Sequence, residues 1–535
     1  MTAFTGTWTL VRFILRRDRV RLPVWIVIIV GLVVSTGASY TSGTLFATDA
    51  EVAARNELVA ANPAAIVFTG PGYGYEDVSL DNMGPMVANE MSGSTLLLVA
   101  IMSILLVVRH TRAEEEAGRA DLVRSGVVGA FAAPTAAVVV LTGANVVMAV
   151  LLALSLMSIG LPAAGSFAFG IGVASIGVVF AAIGVLTAQL AEFGRGASGL
   201  ALAIMGGLFG LRGIGDITNP ALSWLSPFGW AQAMRPYAGE VWWTALLSLG
   251  LAVLVVAAAL VIIRRRDVGA GIVRPSPGPA TASDLLARPL GLAFRLQRGS
   301  IVVWGIVLAV MGSGVAYIVT QADQLAEMEA LRRVFMQSGG DLVDSIFGTY
   351  LMFMALLAMA YALLGAGQLR SEETAGRAEP VLATATSRLR WAGSHVAVVV
   401  AGTIFVLGLG GLVAGAIHAA NVGDPSQLPR LFGLALTWVP ATLVFIGLSV
   451  ALFGLWPRAM VLAWVVYAYG SLATMFGPLL ELPAWFDDLS PIGQTPLVPG
   501  AELDPVPLLA LAAVATALIG LGLIGFARRD VHSPA

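Results

Sequence analysis

The sequence predicts an all-α polytopic membrane protein: about 12 transmembrane helices in two parallel six-span repeats, with an amphipathic interfacial helix at the N-terminus and short charged helices on the cytoplasmic side. Three observations carry this. Charged residues make up 12% of the 535 residues and hydrophobic ones 58%, against about 25% charged in a soluble domain. Mean hydropathy is +0.86, so the charges are too few to cover a water-facing surface. Finally, four short motifs occur twice, in the same order, in the two halves of the chain.

A helix crosses the hydrocarbon core with about 20 apolar residues. Twelve such runs can be drawn, at 24–43, 91–108, 131–158, 163–191, 197–215, 243–263, 301–320, 348–369, 391–417, 431–455, 459–479 and 506–526. Short polar breaks, one with Glu192 and Arg195 and one with Trp456, Pro457 and Arg458, separate the fourth from the fifth run and the tenth from the eleventh. Before the first run, Phe4, Trp8, Val11 and Leu15 fall at helical spacing beside a stripe of Arg12, Arg16 and Arg19. That pattern suits a helix lying in the cytoplasmic interface, although a cluster of charges that only sets topology would also contain it. The first run reads as a retained signal anchor, because no small-residue cleavage site follows it.

Arginine placement sets the orientation. With both termini cytoplasmic, the inner segments hold 24 arginines and the outer segments and span ends six: Arg55, Arg212, Arg235, Arg332, Arg333 and Arg430.

The repeat pairs Arg16, Arg19, Val24 and Trp25 with Arg295, Arg298, Val303 and Trp304. Glu114 to Asp121 pairs with Glu372 to Glu379, Leu225-Ser226-Pro227 with Leu489-Ser490-Pro491, and Arg265-Arg266-Asp267-Val268 with Arg528-Arg529-Asp530-Val531. Matches at similar depth in each half imply parallel repeats about an axis along the membrane normal. The domains expected are therefore 1–263, a first six-span domain; 264–300, a cytoplasmic linker and interfacial helix around Pro275-Ser276-Pro277-Gly278-Pro279; and 301–535, a second six-span domain. The pairing offset falls from 279 (304 − 25) to 258 (372 − 114), so the first half carries 21 extra residues between those points. The outer loop at about 44–90 is the place expected for them.

Several chemistries are excluded. Cysteine is absent, which removes disulfides, thiolate metal sites and cysteine nucleophiles. His110, His395, His418 and His532 have no metal-ligand spacing. Lysine is absent too, and a Walker A loop needs its Gly-Lys pair to hold the β- and γ-phosphates. A net charge of −2 gives no footprint for nucleic acid. No catalytic or metal site is expected, and no cofactor on this chain.

The most informative segments are Arg112 to Asp121 and Arg370 to Glu379, within about 110–130 and 370–390. Carboxylates and arginines at this spacing favour a solvated helix with internal ion pairs. One reading is a charged loop that anchors topology; the other is a rigid helix, presented twice, on which a two-fold soluble partner docks.

Arg-x-Glu-Glu-x-x-Gly-Arg-x-Glu/Asp after the second span, followed by Ser387-Arg388 in the second copy, resembles the coupling-helix region of ABC-2-type exporter permeases. The Leu-Ser-Pro-x-Gly segment before the sixth span is similar to that family's outer, partly re-entrant segment. A lysine-free, arginine-rich chain of this span number looks most like the fused permeases of actinobacterial polyketide-antibiotic (tetronasin-type) exporters, a class tied to efflux and antibiotic resistance. The resemblance covers nearly the whole chain. It implies a location in the bacterial plasma (inner) membrane and two copies of a separate ABC ATPase subunit that binds ATP and Mg. Glu114, Glu115, Arg119, Glu372, Glu373 and Arg377 would then transmit its motion. Thr374 in place of Glu116 and Pro380 in place of Leu122 make the two copies unequal.

Other features carry less. Gly70-Pro-Gly-Tyr-Gly-Tyr75 suits a turn better than a phosphate cradle. Gly206-x-x-x-Gly210 and Gly411-x-x-x-Gly415 permit close helix approach. Met352, Met354 and Met359, with Trp464, Tyr467 and Met475, could line a cavity for a hydrophobic small molecule, or simply pack against lipid or core. Alternatives to an exporter permease are an ion-coupled secondary transporter and a lipid-linked glycosyltransferase. Proton coupling needs an ionisable group within the membrane, and the acids Glu90, Glu192, Asp216 and Glu240 sit at the edges of the drawn spans. A glycosyltransferase would draw on Glu76, Asp77 and Asp81 of the outer loop, which have no counterpart in the second half.

Overall fold

The computed structural model describes residues 3–42, 46, 48–60, 63–266, 271–272, 280–319, 341–476 and 489–530. The Pro275–Pro279 linker core, Arg332 and Arg333, and most of the second half's first outer loop lie outside them. Chain contacts divide the protein into two compact units, Met1–Pro277 and Gly278–Ala535.

Unit one contains α1 (Thr7–Arg17), α2 (Arg21–Thr41), α3 (Asp49–Ala60), α4 (Pro63–Thr69), α5 (Gly84–His110), α6 (Arg112–Glu116), α7 (Arg119–Arg124), α8 (Ala132–Ser158), α9 (Ala163–Leu190), α10 (Gly194–Ile217), α11 (Pro220–Ser223), α12 (Pro227–Gln232) and α13 (Thr244–Ile263). Unit two contains α14 (Pro289–Val319), α15 (Leu342–Thr374), α16 (Ala378–Leu382), α17 (Arg388–Val422), α18 (Gln427–Leu436), α19 (Val439–Leu455), α20 (Leu462–Phe476) and α21 (Pro505–Arg528). Among the described residues, 11 helices are long and apolar enough to cross a membrane. The protein is an all-α polytopic membrane protein, and a buried backbone in lipid explains why: only helices satisfy every N–H and C=O within their own segment. The span drawn at 459–479 appears as α20, of which 15 residues are described.

In unit one the fourth-span helix is the hub: α9 packs on α5, α8, α10 and α13. In unit two the third-span helix α17 packs on α14, α15, α18, α19 and α21, beside a fourth-span helix, α19, that itself packs on α15, α17, α20 and α21. Small residues permit such contacts where no water is available to drive association. The two glycine pairs read from the sequence behave differently. A Cβ on Gly411 or Gly415 would come within 3.0 Å of α18 atoms, so α17 and α18 touch backbone to backbone there. Gly206 and Gly210 face open space.

Helix starts follow local chemistry. Ser226 and Asp504 each precede a proline, and each side chain accepts from the backbone N–H two residues on, Phe228 at 3.3 Å and Val506 at 2.9 Å. Ser490 repeats the Ser226 bond, accepting from Ile492 N–H at 3.1 Å. The two units differ at their first span. Unit one breaks between α1 and α2, whereas α14 runs unbroken through the segment expected to be a separate interfacial helix.

The enlarged outer loop of unit one folds into α3 and α4. Arg212 of α10 has no exposed surface; it donates to the Val67 carbonyl at 2.6 Å and pairs with Asp216 at 3.1 Å. Arg55 of α3 pairs with Glu90 of α5, and the Tyr75 hydroxyl donates to Asn89. Gly70, Gly72 and Gly74 all have positive φ, so this glycine-rich run is a turn against the helix bundle.

Candidate functional site: paired ion bridges after the second span

The Glu-Glu-x-x-Gly-Arg motif closes on itself in the same way in both units. In unit one the Glu114 carboxylate accepts from Arg119 Nε at 2.8 Å and Nη2 at 2.9 Å. In unit two Glu372 accepts from Arg377 Nε at 3.0 Å and Nη2 at 2.9 Å. The guanidinium fork matches the two carboxylate oxygens. The intervening glycine makes this possible: Gly118 has φ 70° and Gly376 φ 69°, a left-handed conformation that ends the helix and turns the chain back. Both arginines are held above their ordinary pKa, first by the hydrogen bond to the glutamate and then by its charge.

The second carboxylate points inward. Glu115 accepts from Arg266 Nη2 at 2.8 Å, and Glu373 accepts from Arg529 Nη1 and Nη2 at 2.6 Å. Arg266 and Arg529 occupy the same place in the repeat, just past the sixth-span helix. Each motif therefore clamps the end of its second-span helix to the end of its sixth-span helix. In unit two the Arg529 guanidinium also lies over the rings of Phe453 and Phe526, 5.0 and 5.1 Å from their centroids. Those rings pack with Trp391, Val450 and Leu369 in a core cluster.

In unit two this corrects the expectation of a solvated helix. Glu372 and Glu373 are only 6% and 5% exposed. They lie in the last turn of α15, not on a separate helix, while in unit one Glu114 and Glu115 lie on the short helix α6. The exposed members are Arg119 and Arg377. Packing against the sixth-span end draws Glu115 and Glu373 inward, because each has an arginine there to neutralise it.

Unit one adds tethers. Arg17 of α1 donates to Glu114 at 2.6 Å. Buried Arg112 bonds to Glu115 at 2.8 Å and donates to the Glu192 carbonyl, in the break before α10. The Gly194 N–H donates to Glu116 at 2.8 Å. In unit two, Thr374 instead bonds back to its own helix at the Arg370 carbonyl, 2.8 Å away.

Comparison with known proteins decides the family. The chain is 38% identical over 538 aligned residues to the multidrug efflux system permease protein Rv1217c of Mycobacterium tuberculosis (strain ATCC 25618 / H37Rv), covering 99% of this chain and 96% of that protein. Residues 286–527 match the family described as the multidrug efflux system permease Rv1217c, C-terminal domain. The chain belongs to the Rv1217c family of multidrug efflux system permeases.

In this family member the charged clamp uses residues beyond the motif itself. Arg266 and Arg529 mark the repeat in sequence, but nothing there joins them to glutamates 151 and 156 residues away. Their signal was duplication alone: two charged motifs repeated together. Asp18 and His110, buried and in contact at the base of α2 and α5, had no sequence signal. Of the six candidates for a substrate cavity, Met352, Met354 and Met359 are buried in α15 and Trp464 is exposed on α20. Tyr467 joins the two helices by donating to the Leu356 carbonyl at 3.0 Å. The Met475 side chain lies outside the described residues. Glu90 and Asp216, placed at span edges by sequence, each face an arginine.

Proposed function

We propose that this chain is the membrane-spanning permease subunit of an ATP-driven ABC exporter that moves hydrophobic or amphipathic, drug-like molecules out of a bacterial cell. Two copies of a separate ABC ATPase dock beneath the two units, on the inner side of the membrane, where both termini also lie. ATP and Mg bind to those subunits and none to this chain. One observation carries the reading: in each unit a glycine turn with an exposed arginine is braced through Glu114–Glu115 or Glu372–Glu373 to the ends of both the second-span and sixth-span helices. A push on the turn moves two membrane helices together, as alternating access requires. Coupling needs contacts that differ between the two states, and Arg119 and Arg377 are the exposed groups able to make them. Substrate contacts would come from interior side chains such as Tyr467 and the methionines of α15. ABC-2-type and tetronasin-type kinship belongs to the same proposal, supported by the Glu-Glu/Gly-Arg motif.

The test is transport by cells that express this chain with its ATPase, alongside ATP hydrolysis by each part in proteoliposomes. We expect hydrolysis only from the complex, and a loss of drug-stimulated hydrolysis when Arg119 and Arg377 are both replaced by Ala with membrane abundance unchanged. Hydrolysis by the isolated chain overturns the proposal. So does export that persists without ATP and stops when the ion gradient is collapsed, the behaviour of a secondary carrier.

A further inference from the structure

Each unit has an open apolar cleft between its first-span and third-span helices. In unit one it has a volume of about 450 Å³, and Leu15, Arg19 and Leu22 face Val140, Gly143 and Val147 of α8. In unit two it has about 710 Å³, and Phe294, Arg298 and Ile301 face Val398, Ala401 and Phe405 of α17. The two sets are the same positions of the repeat. The first three differ by 279 in residue number (294 − 15, 298 − 19, 301 − 22), the offset at Trp25/Trp304. The second three differ by 258 (398 − 140, 401 − 143, 405 − 147), the offset at Glu114/Glu372. The duplication places the groove in register in both units, and both copies keep an arginine beside it although most of the wall side chains have changed.

The side chains at these positions are mostly different: Gly143 against Ala401, Val147 against Phe405. What recurs is an apolar wall with one arginine beside it. Arg19 and Arg298 are both exposed, and among the described residues neither has an ion-pair partner. Of the charged groups beside Arg19, Arg17 pairs with Glu114, and Asp18 contacts His110 and lies 3.6 Å from Arg109.

We propose that each cleft binds an anionic phospholipid, an acyl chain along the apolar wall and the headgroup phosphate on Arg19 in unit one and on Arg298 in unit two. Charge complementarity selects the occupant. A guanidinium at the polar boundary of a bilayer is matched by a phosphodiester, and a planar fork binds it through two parallel bonds. The apolar walls would equally suit a neutral lipid, but an arginine without an ion pair at the same position of both clefts favours a headgroup whose phosphate charge is not offset by its own cation. The clefts also differ in charge. The buried Asp18 carboxylate also lines the first cleft, whereas its counterpart in the repeat, Gln297, is neutral. The second cleft is therefore the tighter anionic-lipid site.

The experiment is native mass spectrometry of the full chain in detergent, titrated with phosphatidylglycerol or with phosphatidylcholine of the same acyl chains. We expect two retained phosphatidylglycerols, with Arg298→Gln weakening one by about fivefold and Arg19→Gln weakening the other by less. Ala401→Trp, which fills the second cleft and leaves the arginine in place, should remove one lipid. Glycerol phosphate, a headgroup without chains, should not compete. Equal retention of the two lipids, unchanged retention in the double arginine variant, or displacement by glycerol phosphate would each overturn the proposal. None of these readouts depends on ATP coupling, so failure here leaves the exporter reading untouched.

Discussion

The two charged segments share one clamp but are moored differently. In both, a glutamate binds the arginine five residues on across a left-handed glycine, and the next glutamate binds an arginine at the end of the sixth-span helix. In unit one the segment also ties to α1 through Arg17 and to the start of α10 through Glu116 and Arg112. In unit two Leu296 stands where Arg17 would be, and Thr374 where Glu116 would be. Its mooring is instead an aromatic core, with Arg529 resting on Phe453 and Phe526, and a polar bond from Arg388 at the start of α17 to the Arg529 carbonyl at 2.5 Å. Duplication kept the part that joins the second and sixth spans and let the attachments diverge. In unit one the turn is tied by polar bonds to α1, to the start of α10 and to the end of α13, whereas in unit two the arginine at the sixth-span end sits in a packed aromatic core.

Breaking the shared clamp gives the largest effect. Glu115→Ala removes a carboxylate that faces both Arg112 and Arg266, of which 1% and 5% of the side chain is exposed. Removing one partner of a buried pair costs about 3–5 kcal/mol. Thermal unfolding of the full chain in detergent should show a loss toward that range, with Glu373→Ala smaller because its carboxylate faces Arg529 alone among the ion pairs found. Equal losses in the two variants would mean that the second arginine contributes nothing.

A smaller and symmetric effect is expected at the turn. Gly118→Ala and Gly376→Ala each force an L-residue into the left-handed region, at about 1–2 kcal/mol. No neighbouring atom lies within 4 Å of a Cβ added at Gly118, so the strain there is conformational only. Amide hydrogen exchange at Arg119 and Arg377 should rise by a similar factor in the two variants. A large difference would show that the turns are not equivalent.

The smallest effect separates the moorings. Arg17→Ala removes a partly exposed bridge worth about 0.5 kcal/mol, and Leu296→Ala removes no charge. Exchange at the Glu114–Arg119 turn should increase with Arg17→Ala, while the Glu372–Arg377 turn is unaffected by either change. Loosening of both turns by Arg17→Ala would mean that α1 is not a local tether.

Much of the fold was legible because lipid imposes a simple code: length and apolarity mark spans, and motifs repeated in the same order mark duplication. The Glu-Glu-x-x-Gly-Arg motif was equally readable, since its ion pair is local and its glycine is the turn. The clamp was not, because Glu115–Arg266 and Glu373–Arg529 join positions more than 150 residues apart. The depth of the glutamates was also hidden. A cluster of acids reads as solvated until a distant helix end supplies the arginines that let it be buried.

By itself, then, the sequence determined that this protein is helical and membrane-embedded, that its two halves are copies, and where each copy turns. Those properties depend on composition, period and local backbone chemistry. Only the tertiary structure decided which charges meet, that α1 moors one segment and an aromatic core the other, and that the same cleft opens beside Arg19 and Arg298. Those depend on how helices far apart in the chain pack, and packing is set by the shapes of whole surfaces rather than by any one segment.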